Sequence, residues 1–327
     1  MRTFTGNRVV RDTGAAVPVF NAPIGYFARG ALVGAVSAAG GMGLLETSST
    51  GLAETQAEYD RIRALTDAPF GVQLFLRVLA QQGRLEEVLD WALDGRIGFL
   101  VTAVGSPADI VARVHDAGVK LYHQTGSIAD ARRAGDAGVA GRIVGGAEAG
   151  GLRSTRSLHL FSFLQQVREQ VEVPVVAGGG IVDGRGMAGA FALGAEGVMM
   201  GTRFITAAES PVHDNVKRAI AEAEETVNLE PVKKGIMMRF IRNEFSEAVA
   251  RGEIDPQGQP YAGPVLELFE TGDLGLAMVG AGESAALVSE VRTAREIIEH
   301  TIAGFWAEIE RLAALVAPAA APGSPLD

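Results

Sequence analysis

The sequence predicts a closed (β/α)8 barrel, the TIM-barrel fold, and three observations lead to this prediction. Between Pro18 and Met200, short apolar runs alternate with longer amphipathic runs, which is typical of a parallel sheet covered by helices. Glycine is abundant, at 42 of 327 residues, and it suits tight turns because it tolerates positive φ. The joints Ala117-Gly118-Val119 and Ala137-Gly138-Val139 each end a helix and start a strand, and such short βα repeats favour a closed barrel. An open, doubly wound sheet is the structural alternative.

Eight short apolar strands are expected, each followed by a turn. They are predicted at Pro18–Ala22, Gly43–Leu45, Phe70–Phe75, Phe99–Val101, Lys120–Tyr122, Gly141–Val144, Val175–Ala177 and Gly197–Met200. Amphipathic stretches with apolar residues at helical spacing separate the strands. Helices are predicted at Ala28–Ala39, Ala53–Leu65, Leu85–Leu93, Ala108–Ala117, Ile128–Ala137, Phe161–Val171 and Arg185–Leu193.

The pattern changes after Thr206. Residues 211–228 are rich in Ala and Glu and predict a helix, whereas residues 230–262 are more polar and are broken by prolines. We therefore expect residues 1–206 and 286–316 to form the barrel, with residues 207–285 inserted as a small, mostly helical subdomain on the substrate side. The Pro/Ala-rich residues 317–327 predict a disordered tail.

Charge and composition exclude several classes of function. The net charge is −10, which argues against a nucleic-acid partner, although a local site can still bind an anion. The chain has no cysteine, so disulfides, thiolate metal sites and a cysteine nucleophile are excluded, and no cluster of metal ligands is recognisable. The sequence shows no signal-like N-terminus and no apolar run of about 18 residues, which predicts a cytoplasmic protein that does not enter the membrane. A homo-oligomer stays open.

Two glycine turns predict a phosphate site. The strand before Gly178-Gly179-Gly180 runs directly into these glycines, and Asp183 is placed to cap the helix that follows. The next strand ends in Gly201-Thr202. In a barrel, the loops after the seventh and eighth strands are the usual phosphate grip, so this interpretation is favoured over plain tight turns. Arg203 either adds charge there or is a surface residue.

The segment PVVAGGGIVDGRGMAGAFALGAEGVMMGTRF, Pro174–Phe204, closely resembles the phosphate-binding segment of the nitronate monooxygenase family. This family was formerly called 2-nitropropane dioxygenase, and it includes FMN-dependent enoyl-ACP reductases and NADH:quinone reductases. The resemblance spans most of the chain. Further matching segments are PVFNAPIGYFARGALVGAVSAAGGMGLL, PFGVQLFL, YHQTG, GGAEAGGLRS, the Arg-Asn element around Arg239, Arg242 and Asn243, and GDLGLAMVGAG.

The resemblance implies a TIM barrel that binds FMN without covalent attachment, with NAD(P)H as a transient electron donor in some relatives. By position it implies these FMN contacts: Ala22, Pro23, Ile24, Gln73, Gln124, Gly150, Gly151, Gly178, Gly179, Gly180, Gly201 and Thr202. Gln124 stands where many relatives carry Lys. For Gln73 and Gln124, the alternative is that each merely caps the end of a strand.

One departure from the family bears on the reaction. Members typically carry a base His two residues after the first glycine of the Gly150-Gly151 pair, and this chain has Leu152 there. Leucine cannot accept a proton. His123, at a strand end expected to face the barrel mouth, and His159, in the loop that follows, are the candidate replacements; a structural role is the alternative for each. Glu148 is expected to orient the loop.

The resemblance predicts an FMN-dependent oxidoreductase that oxidises alkyl nitronates with molecular oxygen. The alternative is an NAD(P)H-dependent reductase of an enoyl thioester or a quinone, because such a reaction does not need the missing His. Tyr26, just after the first flavin-facing turn, is a further candidate that either donates a hydrogen bond to substrate or simply packs. Two other classes stay open: a flavin-binding protein that has lost catalysis, and a non-flavin barrel that binds a sugar phosphate.

Overall fold

The computed structural model describes residues 2–154, 157–233, 236–255 and 262–316. Its strands are β1 Val19–Asn21, β2 Gly43–Glu46, β3 Phe70–Phe75, β4 Phe99–Ala103, β5 Lys120–Thr125, β6 Gly141–Gly145, β7 Gly151–Ser154, β8 Val175–Gly178, β9 Gly197–Met200, β10 Thr226–Lys233 and β11 Ile236–Ile241. Its α-helices are α1 Arg8–Thr13, α2 Gly30–Ala38, α3 Leu52–Leu65, α4 Leu76–Gln81, α5 Leu85–Leu93, α6 Ala108–Asp116, α7 Ile128–Asp136, α8 Leu160–Arg168, α9 Gly184–Ala192, α10 Thr202–Ile205, α11 Asp214–Ala221, α12 Glu244–Ala250, α13 Ala262–Thr271 and α14 Ala294–Leu315.

Eight parallel strands form one sheet in the order β1-β9-β8-β6-β5-β4-β3-β2. The sheet curls so that β1 also meets β2, where Phe20 forms an isolated bridge with Met42. The buried side chain of Asn21 completes this seam, because its amide donates to Leu44 O at 3.1 Å and accepts from Leu44 N at 2.9 Å. The barrel is thus nearly closed, as predicted, and the open-sheet alternative is wrong.

The glycine joints between helices and strands are confirmed. Gly118 and Gly138 have positive φ, at 71° and 83°, and Gly194, before β9, has φ 98° as well. These are left-handed conformations that cost a residue with a Cβ about 1 kcal/mol or more. The joints turn each helix back towards the next strand at the N-terminal end of the barrel, so the opposite end is left for the loops that carry the site.

The barrel interior is filled by aromatic and aliphatic side chains. Phe20, Phe99 and Tyr122 lie in contact there, with ring centroids 6.0 Å and 4.9 Å apart for the successive pairs. The helix α1, which was not predicted, adds Val9 to this cluster, and its Asp12 accepts a hydrogen bond from Tyr122 Oη at 2.9 Å. Burial of each such aromatic ring contributes about 1.5–3 kcal/mol, so the interior is a packed core rather than a channel.

Residues 207–285 contain helices, as expected, but they also form strands that the sequence analysis did not predict. β10 and β11 pair antiparallel, and β11 pairs with β7 to give a three-stranded sheet. The helix predicted over 211–228 is wrong beyond Ala221, where α11 ends. Pairing of the β-branched residues Thr226 and Val227 with β11 outweighs the helical propensity of the preceding Ala/Glu-rich stretch. The division into a barrel and a subdomain stays a prediction.

The last described element is the single long helix α14, which packs against α9 and α2. Its start is fixed by a capping box between Thr293 and Glu296. The tail predicted to be disordered, 317–327, lies outside the described residues. None of the helices in the described ranges is long and apolar enough to cross a membrane.

Candidate active site

Loops at the C-terminal ends of β6 and β8 meet at the first glycine turn. Gly146 N donates to Gly178 O at 2.9 Å. Gly179 has φ 96°, and a Cβ placed on it would lie 3.2 Å from Gly146 O and 3.3 Å from Ala149 N. Glycine therefore suits this turn, because a side chain there would be strained and would press on the loop after β6. Asp183 caps α9 as predicted, since its carboxylate accepts from Gly186 N at 2.9 Å.

The second glycine turn lies beside the loop that follows β1. Ala22 N donates to Met200 O at 2.8 Å. A Cβ built on Gly201 would lie 3.2 Å from Ile24 Cδ1 and 3.5 Å from Ala22 Cβ. Two segments that the resemblance assigned to the phosphate and to the flavin ring are therefore neighbours, and Pro23 lies in the loop between Ala22 and Ile24.

A third loop closes over these turns. Thr202 Oγ1 accepts from Gly282 N at 2.9 Å. A Cβ on Gly150 would lie only 2.4 Å from the carbonyl carbon of Ala281, so the two backbones touch. Gly150 and Gly151 are thus packed beneath the returning segment around Gly282, and they are joined to the Gly201-Thr202 turn through it.

The Arg-Asn element holds this third loop in place. Arg239 is 5% exposed and lies opposite Gly151 in the sheet. Its guanidinium forms an ion pair with Glu283 at 2.6 Å and donates to Ala147 O at 3.3 Å. The Asn243 amide donates to Leu274 O at 2.9 Å. These contacts explain why both residue types stand in that segment: they tie β11 to the loops on either side.

Gln73 and Gln124 are brought together. Gln73 Nε2 donates to Gln124 Oε1 at 3.2 Å. Gln73 is 1% exposed, and its Oε1 has no hydrogen-bond partner among the described residues. A buried acceptor without a partner destabilises the folded protein by about 1–3 kcal/mol. A hydrogen-bond donor on a bound molecule would remove this cost. A flavin ring presents such an N–H, and the pair therefore fits FMN better than two separate strand caps.

His123 does not face the barrel mouth, contrary to the prediction. Side chains alternate along β5: Tyr122 belongs to the barrel interior, whereas Leu121 belongs to the layer beneath the helices. His123 shares the outer face, is 1% exposed, and its Nδ1 lies 2.9 Å from Thr102 Oγ1. Its Nε2 is 3.9 Å from the Asp130 carboxylate on α7. This position favours a structural role over a catalytic one.

The burial of His123 predicts an acid-sensitive contribution to stability. Burial lowers the pKa of His123 below its ordinary value of 6.5, although the Asp130 carboxylate opposes this shift. Between the lowered folded pKa and the ordinary value of 6.5, the unfolded chain binds more protons than the folded one, so stability falls with falling pH there by at most about 1.4 kcal/mol per unit. We expect His123→Gln to flatten the dependence of the unfolding free energy on pH between about 5 and 7. His115→Gln, on the exposed face of α6, is the control; equal slopes for the two variants would contradict the expectation.

His159 lies at the N-cap of α8 with its side chain 70% exposed. Its Nδ1 is 3.7 Å from Glu148. The Glu148 carboxylate accepts from Leu160 N at 2.9 Å, which confirms that Glu148 orients the loop. The solvent-facing position of His159 at the start of a helix does not support its expected role as the base.

Leu152 lies in β7, paired with Met238. Its side chain lies outside the described residues, as do residues 155 and 156.

Arg203 is neither a surface residue nor directed to the glycine turn. It is 7% exposed, and its Nη1 donates to Thr206 Oγ1 at 3.1 Å and to Glu290 O at 2.8 Å. Burial lowers the pKa of Arg203 to about 10, with the Arg292 charge adding to the shift. Its described partners belong to the chain segments that lead into and out of the inserted region.

Sequence reasoning missed a polar cluster at the end of β2. Glu46 is fully buried and lies beside Gln73 in the sheet. Its carboxylate accepts from the backbone and hydroxyl groups of Ser48 and Ser49, including Ser49 N at 3.0 Å. Arg29 Nη2 lies 3.7 Å away. The signal in the sequence is a charged residue that ends an apolar strand and is followed by Thr-Ser-Ser-Thr.

Backbone strain marks the same end of the barrel. Among the described residues other than glycine, Tyr26 and Val104 have positive φ, at 68° and 54°. Both follow the C-terminal ends of barrel strands, β1 and β4. A β-branched residue in this conformation is rare, and such strain concentrates at functional sites. The C-terminal rim of the barrel is therefore the candidate active site.

Comparisons with known proteins agree with this architecture. The family model for nitronate monooxygenase matches residues 10–91 and 79–304. The chain is 34% identical over 242 residues to a 5-hydroxy-7a-methyl-1-oxo-octahydro-1H-indene-4-carboxyl-CoA dehydrogenase of Mycobacterium tuberculosis, a match that covers 72% of this chain and 66% of that relative. The chain thus spans slightly under two thirds of that relative's length.

Two solved structures superpose over nearly the whole chain. FabK from Thermotoga maritima has a TM-score of 0.86 at 30% identity and covers 97% of this chain and 100% of its own. Nitroalkane oxidase from Streptomyces ansochromogenes has a TM-score of 0.79 at 26% identity, with 93% and 99% covered. These matches confirm the resemblance drawn from the sequence. The chain belongs to the nitronate monooxygenase family and is an oxidoreductase.

Proposed function

We propose that this enzyme holds FMN at the C-terminal rim of the barrel and reduces an α,β-unsaturated acyl thioester with electrons from NAD(P)H. The observation that carries the proposal is that neither candidate histidine is buried at the rim where the loops meet. Leu152 takes the usual base position, His123 lies outside the barrel beneath α7, and His159 is exposed at the start of α8. A reaction that needs no protein base at that position suits this arrangement best.

The described residues fit FMN at two points. The phosphate would lie at Gly179 and at Gly201-Thr202, where backbone amides can approach an anion without a Cβ in the way. The polar edge of the ring would meet the Gln73–Gln124 pair, which would satisfy the unpartnered Gln73 Oε1. FMN bound there supplies two-electron transfer between a nicotinamide and an organic acceptor.

The proposed reaction balances without a base on the protein. Reduction of the thioester adds a hydride equivalent at the β-carbon and a solvent proton at the α-carbon, while NAD(P)H becomes NAD(P)+. The relative from Mycobacterium tuberculosis bears the name of a dehydrogenase of a carboxyl-CoA, which supports a thioester as the substrate class. The small-molecule substrate would enter between Ile24 and Val104, whose apolar side chains are 39% and 48% exposed at the rim.

Oxidation of alkyl nitronates with molecular oxygen is the second candidate. The family model and the similarity to a nitroalkane oxidase favour it. A nitronate is already deprotonated, so Leu152 does not prevent its oxidation, whereas a neutral nitroalkane would need a base. A quinone as the acceptor and a flavoprotein without turnover are further outcomes of the experiment below.

Anaerobic mixing separates these functions. Purified protein should absorb near about 370 and 450 nm, as flavins do, and NADH or NADPH should bleach the longer band. Crotonyl-CoA, added without oxygen, should then restore it. The reductase proposal is wrong if neither nicotinamide bleaches the flavin while propionate 3-nitronate does. A protein without these bands would exclude FMN and favour a barrel for a sugar phosphate.

A further inference from the structure

We propose that Tyr26 is the residue that polarises the substrate, by donating a hydrogen bond from its phenol to the thioester carbonyl oxygen. The inference rests on the proposed function. During reduction, negative charge develops on that oxygen, and a fixed donor aimed at it stabilises the transition state. Leu152 cannot donate such a hydrogen bond, so the donor must be another side chain at the rim.

Tyr26 lies at the C-terminal rim of the barrel, beside the expected flavin contacts. It follows the loop in which Ile24 touches the Gly201 turn, so it is two residues from the expected flavin contact. On its other side, Gly25 packs against the β2–α3 loop, since a Cβ on Gly25 would lie 3.7 Å from Ser49 Cβ. The phenol therefore belongs to the same C-terminal rim as Glu46 and Gln73.

A network of hydrogen bonds joins the β1–α2 loop, which contains Tyr26, to the β2–α3 loop. Arg29 Nη1 donates to Glu46 O at 3.2 Å, and Nη2 donates to Ser49 Oγ at 2.6 Å. The Glu46 carboxylate accepts hydrogen bonds from the backbone N–H groups of Ser48 and Ser49. Tyr26 itself lies in the β1–α2 loop and has φ 68°. A strained conformation of this kind costs about 1–3 kcal/mol and persists only where its surroundings impose it.

The Tyr26 hydroxyl is still able to donate. It makes no hydrogen bond to any described residue, and the Glu46 oxygens that lie nearby are already taken by Ser48 and Ser49. Burial, and then the negative charge of Glu46, raises the pKa of Tyr26 above its ordinary value of 10.0. The phenol therefore keeps its proton at neutral pH and can offer it to an acceptor.

Contacts within the protein explain the other described tyrosines but not this one. Tyr59 lies against Phe70 and Trp91, with ring centroids 5.6 Å and 6.0 Å apart. Tyr122 lies against Phe99 and donates to Asp12. Tyr26 has neither an aromatic neighbour nor a hydrogen-bond partner within the described ranges. A half-buried phenol that is strained, unstacked and unpaired indicates a role towards a ligand.

The test compares Tyr26→Phe with Tyr59→Phe, each of which removes one hydroxyl. We expect Tyr26→Phe to lower kcat for crotonyl-CoA about 100-fold, the usual loss for one oxyanion donor. Its FMN content, thermal midpoint and rate of bleaching by NAD(P)H should match the wild type. Tyr59→Phe should match the wild type throughout.

A wild-type kcat in Tyr26→Phe would overturn the inference and leave Tyr26 as a packing residue. So would a loss of kcat that came with a matching loss of FMN, because the phenol would then support the cofactor. Failure of the proposed function is distinct: the wild-type enzyme itself would leave crotonyl-CoA unreduced, and the inference would fall with it.

Discussion

Replacing Gly184 by Ala should destabilise the protein by about 3 kcal/mol, at the upper end of what overpacking usually costs. Gly184 begins α9, and a Cβ on it would lie 2.0 Å from Phe305 N and 2.4 Å from Thr301 O. These are backbone atoms of α14, so no rotation of a side chain can make room. The long C-terminal helix would have to move away from the barrel, and the buried contacts between α9 and α14 would be lost.

Gly189→Ala is the matched control, because it lies in the same helix with no atom within 4 Å of a Cβ. Alanine in a helix interior is better than glycine by about 0.5–1 kcal/mol, so this variant should be slightly more stable than the wild type. Urea unfolding followed by circular dichroism measures both. If the two variants had the same midpoint, the close approach of α9 to α14 would be wrong.

The barrel was predictable because its signals are local. Apolar runs, amphipathic runs and glycine joints each lie within a few residues, and the strand β3, Phe70–Phe75, has the predicted bounds. β5 extends to Thr125, beyond its predicted end at Tyr122, because polar residues end the apolar pattern before the hydrogen bonding stops. The sheet of β10, β11 and β7 joins segments far apart in sequence, and no local pattern reports such pairing.

The candidate site divides in the same way. Its glycine turns could be predicted because glycine in the sequence indicates where the backbone approaches another group closely, as at Gly179. The side chains could not, since their direction depends on register. A shift of one position along β5 separates Gln124, which meets Gln73, from His123, which lies beneath α7. Glu46 is buried only because the β2–α3 loop folds back onto its carboxylate, and this too is a tertiary event.

The Gly179→Ala variant should lose most of its affinity for FMN. A Cβ there would press on Gly146 O and Ala149 N at 3.2 Å and 3.3 Å, so the loop after β6 must yield by a few tenths of an ångström. The backbone would then withdraw from the phosphate. A lost hydrogen bond to a charged group costs about 1.5–3 kcal/mol, which predicts a Kd roughly 10- to 100-fold higher.

Gly138→Ala separates this effect from backbone strain. Gly138 also has positive φ, at 83°, but no atom lies within 4 Å of a Cβ built there. Both variants should lose about 1 kcal/mol of stability, because alanine is strained in the left-handed region. Only Gly179→Ala should bind FMN more weakly when apoprotein is titrated and flavin fluorescence is followed. Equal Kd values for the two variants would show that the phosphate does not bind at the β8 turn. The proposed orientation of the flavin, on which the roles of Gln73 and Tyr26 depend, would then be wrong as well.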